Sequence, residues 1–76
     1  MQLSTKEQEL AVAILFEYLN DKSSILKTFS MQALCDFALR DRRLRLRIVP
    51  VLEHLTDTGT AAMRSRGRKL LKHLKQ

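Results

Sequence analysis

Hydrophobic and polar positions along the chain fall into four stretches of helical period, each bounded by polar turn residues. Ser4 or Thr5, followed three residues later by Glu7 or Gln8, has the form of a capping box, and the helix it opens runs to about Asn20. Ser23 or Ser24 opens a second helix through about Leu39 or Arg40. Asp41 is placed to cap a third, ending near Thr56. The segment "DTGT", Asp57 to Thr60, reads as a turn, and a fourth helix runs from Thr60 or Ala61 to the end. Only "RLRLRIV" alternates like a strand, and no other segment offers it a partner.

A repeat decides that stretch. Shifted by 36 residues, "LFEYLND" (Leu15 to Asp21) lies on "VLEHLTD" (Val51 to Asp57), Leu10 meets Leu46 and Val12 meets Ile48. One residue further on, "ILKTFSMQALCDF" lies on "AMRSRGRKLLKHL", pairing Leu26 with Met63, Lys27 with Arg64, Leu34 with Leu71 and Phe37 with Leu74. "RLRLRIV" is then the start of the third helix, equivalent to "KEQELAVAI" in the first.

Two helices joined by a short Asp-containing turn, repeating at about 37 residues, resemble the HEAT-repeat family. Pro50 in the first helix of its unit, Asp21 and Asp57 at the turns, and the pairs Leu26–Lys27 and Met63–Arg64 carry the resemblance from Leu10 to Leu74. It departs at Ile14, where the proline is missing, and at Arg66 and Gly67, where small apolar residues are usual. The resemblance implies one all-α domain over 1–76, an α-α superhelix whose four helices form two HEAT-like hairpins. Residues 4–40 are the first repeat and 41–76 a C-terminal capping repeat. It further implies a binding scaffold with no cofactor and no catalysis, and pairs of Lys27 with Asp21 and Arg64 with Asp57. Asp36 and Arg40, four apart on a helix, have the spacing of an ordinary ion pair.

The two ends of such a stack differ. In the second helix Leu26, Phe29, Ala33, Leu34 and Phe37 make one stripe, while Met31, Cys35, Ala38 and Leu39 make the opposite side apolar too. A helix apolar all round is expected to be central and buried. The fourth helix keeps the stripe in Met63, Gly67, Leu70, Leu71 and Leu74. At the positions of Phe29, Met31, Cys35 and Ala38, however, it carries Arg66, Arg68, Lys72 and Lys75, as a terminal repeat does. The first helix is apolar nearly all round from Leu10 to Leu19. Its candidates for self-association are Val12, Leu15, Phe16 and Leu19. Two readings follow: preceding repeats are missing from this chain, or a partner protein packs on the first helix, a second copy in a homodimer being the simplest.

Charge sharpens the contrast. Residues 1–39 hold three lysines and five acids, residues 40–76 eleven Lys/Arg and three acids, so the halves carry −2 and +8. A half this basic can face an anion. The alternative function is therefore nonspecific binding of nucleic acid or another polyanion through Arg64, Arg68, Lys69, Lys72, Lys75, Arg43 and Arg47, beside the plain reading of a solvated cap. No aromatic residue lies in 40–76 to stack on exposed bases.

Catalytic and metal chemistry find little support. His54 and His73 lie on different helices with no HExxH or CxxC companion, and Cys35 stands alone in an apolar run. The longest apolar run, Leu10 to Phe16, falls short of the ~20 residues that span a bilayer. A protein of the cytoplasm, off the membrane, is the expectation.

Overall fold

A computed structural model describes residues 4–75. Four helices follow one another: α1 (Thr5–Tyr18), α2 (Ser24–Arg40), α3 (Arg42–Thr58) and α4 (Ala61–Leu74). The fold is all-α, two helical hairpins in sequence.

Each helix starts where a side chain can hold its free N–H groups. Ser4 Oγ accepts from Glu7 N, and the Glu7 carboxylate accepts from Ser4 N at 3.1 Å, closing the capping box. Ser23 caps α2, Asp41 accepts from Arg43 N and Leu44 N to cap α3, and Thr60 caps α4.

Asp41 alone separates α2 from α3, so α2 ends without a turn to occupy its last carbonyls. Arg45 fills that role, donating Nε to Ala38 O at 3.4 Å and Nη2 to Leu39 O at 3.2 Å. Pro50 sits inside α3 on its exposed side, where water reaches the carbonyl its missing N–H leaves free. The turn expected at Asp57–Thr60 is shorter than that: α3 runs through Thr58, and Gly59 and Thr60 alone connect it to α4.

The hairpins stack side by side with matching helices in register. Ser24 and Thr60 share a hydroxyl hydrogen bond of 2.8 Å, Arg66 Nη1 donates to Gln32 Oε1 at 3.2 Å, and Cys35 Sγ lies 4.0 Å from Leu70 O. These pairs step along α2 and α4 together, so the two helices run parallel. Between α1 and α3, Gln8 Nε2 donates to Asp41 Oδ2 at 3.1 Å and the Arg47 guanidinium lies 5.3 Å over the Phe16 ring. The backbone of α2 closely approaches each of the other three helices, whereas α1 closely approaches α2 alone.

This central helix buries Ser30, Met31, Leu34, Cys35 and Ala38 against Ile48 and Leu52 of α3 and Met63, Leu70 and Leu74 of α4. The burial is not all round, contrary to expectation. Phe29 of one apolar stripe and Leu39 of the other stand out, and so does Ile25. An apolar helix is buried only where a neighbour exists, and α2 has neighbours around part of its circumference.

Close packing explains Gly67. A Cβ there would run into the Thr56 side chain of α3 and reach within 3.4 Å of Met31 Cε. Glycine lets α4 seat against α3 and α2 at once.

Candidate interaction surfaces on the two hairpins

Val12, Leu15 and Leu19, expected to be free for self-association, lie in the core at 6%, 9% and 8% exposure. Phe16 is half-buried under Arg47. The free apolar side of α1 is a different stripe, Leu10, Ile14 and Tyr18, spaced i, i+4, i+8. A signal for it existed in the repeat: these residues correspond to Leu46, Pro50 and His54 of α3, where a proline and a histidine mark the solvent side.

Helix α2 carries a second open stripe. Ile25, Phe29 and Ala33 correspond to Ala62, Arg66 and Leu70 of α4; Ala33 packs against the core, while Ile25 and Phe29 stay open. Ile25 is 84% and Phe29 55% exposed. With Ser24, Thr28, Gln32 and Asp36 they line a mainly apolar cleft of about 490 Å³, bordered by Ala62 and Arg66. Gln32 ties its polar edge together, accepting from Arg66 and donating Nε2 to Asp36 Oδ1 at 3.1 Å. Asp36 therefore bonds Gln32, and no ion pair to Arg40 forms.

Helix α4 is cationic. Arg64, Arg68, Lys69 and Lys72, with Lys75 at its C-cap, are all exposed. Lys75 Nζ approaches Glu53 Oε2 of α3 at 3.6 Å, both side chains about half exposed. Arg64 donates Nε to Gly59 O at 3.2 Å instead of pairing with Asp57, which lies within α3 and not in the turn. Lys27 likewise has no ion pair, and Asp21 Oδ1 accepts from the nearer Ser23 N at 2.8 Å. A turn amide is already in place, whereas the half-buried Lys27 side chain must give up rotamer freedom to reach a carboxylate.

Arg43 and Arg47 do not join the α4 group. They line a cleft of about 340 Å³ between α1 and α3, together with Thr5, Gln8, Glu9, Val12, Ala13, Asp41 and Leu44. Two acids are among its walls, and Arg47 is drawn onto Phe16. The seven basic residues named from the sequence thus form a group of five on one helix and a pair elsewhere.

Side chains able to do chemistry are dispersed. Burial pushes the Cys35 thiol up from its ordinary value, with the Asp36 charge adding to it, so the reactive thiolate is disfavoured. His54 and His73 are exposed on α3 and α4. Among the described residues, no three His, Cys, Asp or Glu side chains gather as a metal-ion set.

No family model, curated protein or solved structure matches this chain. Among the described residues, no helix is long and apolar enough to cross a membrane.

Proposed function

We propose that the chain is a HEAT-like helical-repeat scaffold that binds protein and performs no catalysis, and that its first partner is a second copy of itself. The observation that carries this reading is the pair of open apolar stripes on the first hairpin, Leu10–Ile14–Tyr18 and Ile25–Phe29. Leu10, Ile14, Tyr18, Ile25 and Phe29 are each at least 40% exposed, and apolar side chains grouped in this way on one hairpin are what an interaction surface presents. The in-register pairing of α2 with α4, on top of the sequence repeat, supports the HEAT-like assignment.

Charge favours a two-fold arrangement through the first hairpin. That half carries −2 and the other +8, so a symmetric contact there joins the nearly neutral halves and holds the basic ones apart. A cytoplasmic location accords with one buried, unpaired cysteine.

Sedimentation equilibrium at micromolar concentration tests the proposal. The expected mass is about twice the 8.8 kDa of the chain. Replacing Ile25→Lys together with Phe29→Arg gives α2 the charged character of α4 and should yield a monomer of unchanged helicity. A wild-type chain that stays monomeric overturns self-association, and a dimer that survives this double substitution overturns a role for the α2 stripe in it.

A further inference from the structure

We infer that α4 carries a separate binding face for the sugar–phosphate backbone of double-stranded nucleic acid. From Ala61 to Lys75 the chain has six cations and no acid. Arg66 turns back to Gln32, while the other five side chains are exposed. At 100° per residue, Arg64, Arg68, Lys72 and Lys75 fall within an arc of about 80° on the side opposite the buried Met63, Leu70 and Leu74. Members four residues apart rise by about 6 Å, so the four make a straight ladder about 16 Å long. Ala61 and Ser65, small and exposed on the same side, leave it without bulky obstruction.

Structural roles account for little of this ladder. Like charges four apart, as in Arg64–Arg68 and Arg68–Lys72, destabilise a helix; Lys75 pairs with Glu53 and Arg64 with Gly59 O, and among the described residues Arg68 and Lys72 have no such partner. The helix dipole favours cations in the last turn, where Lys72 lies, but disfavours Arg64 near the start. A line of phosphates relieves every repulsion in the row at once. By contrast, two of the four cations of α3 have other partners: Arg45 closes the end of α2 and Arg47 lies on Phe16.

The rest of the surface selects the kind of polyanion. The cationic side offers no large apolar residue to enter a lipid headgroup layer, because the apolar side of α4 is in the core. No aromatic residue lies in 40–76 to stack on unpaired bases, which argues against single strands. Binding is therefore to duplex phosphates, with little sequence readout and strong salt dependence.

Fluorescence anisotropy of the full chain with short mixed-sequence duplexes of DNA and of RNA tests this. Four phosphate contacts predict that log K falls against log salt with a slope of about −3 to −4. Arg68→Glu with Lys72→Glu, both exposed, should leave the circular dichroism unchanged, weaken binding at least about tenfold and flatten the slope by about two. Arg43→Glu with Arg47→Glu on α3 should change affinity by no more than about twofold at moderate salt. Because a chain of this charge attracts polyanions generally, the position of the effect decides. No duplex binding at low salt overturns the inference, as does a loss on α3 equal to or larger than that on α4. Anionic vesicles that compete as well as duplex would assign the ladder to membrane surfaces and overturn it too. The Ile25→Lys, Phe29→Arg monomer should still bind duplex, which separates this face from the self-association surface.

Discussion

The two hairpins have the same plan and opposite outer sides. Met31, Cys35 and Ala38 of α2 are sealed from solvent, whereas their counterparts Arg68, Lys72 and Lys75 of α4 are exposed. The difference lies in what stands next to each helix. The second hairpin covers α2, and nothing described covers α4. Burial at a repeat position thus belongs to the stack and not to the hairpin, a property expected of quasi-one-dimensional folds. The first hairpin completes the contrast, since Ile25 and Phe29 remain apolar and exposed. One hairpin is closed with charge and the other is left open.

Paired substitutions at equivalent positions can break this comparison. The largest effect is expected at Leu34 and Leu71. Leu34 is fully buried and its counterpart half-buried, so Leu34→Ala should cost about 2–5 kcal/mol and Leu71→Ala markedly less, as measured by urea unfolding. Equal losses would mean that the two hairpins are equally enclosed.

Next come Gly67 and its counterpart Ser30. Alanine at Gly67 gains about 0.8–1 kcal/mol in helix propensity but must displace Thr56, so a net loss of about 1–3 kcal/mol is expected. Adding Thr56→Ala should restore most of it. Ser30→Ala removes only a hydroxyl that donates to Leu26 O in its own helix, and should stay within about 1 kcal/mol of wild type. A tolerated Gly67→Ala would contradict the close approach of α4 to α3.

The smallest effect concerns the caps. Hydrogen bonds from the Ser4 backbone N–H, and then from its side chain, hold the Glu7 carboxyl below its ordinary range. Its contribution is complete above the unfolded carboxyl value of 4.5 and is lost as pH falls through the lower folded value. Acidification should fray the start of α1, seen as faster amide exchange at Glu7, and Glu7→Gln should remove that pH dependence. The start of α1 in Glu7→Gln fraying as before would show that another group is responsible.

The sequence by itself determined the four helices, the cap at Asp41, the starts at Ser4 and Thr60 to within one residue, and the polar character of α4. Caps are local, since a side-chain oxygen meets an amide two or three residues away. The cations of α4 had to face water because burying an unpaired charge is prohibitive. Tertiary structure alone decided which apolar residues stayed outside. Val12, Leu15 and Leu19 went inward, while Leu10, Ile14 and Tyr18 did not, although every one of them would gain by leaving water. The hydrophobic effect carries no direction, so the choice fell to where α2 and α3 lie. Packing likewise fixed the need for glycine at position 67, and Asp21, Asp36 and Arg64 have partners other than the charges that the family resemblance or, for Asp36, the spacing implied. An exposed ion pair is worth too little to hold two long side chains together when a hydrogen-bonding group stands closer.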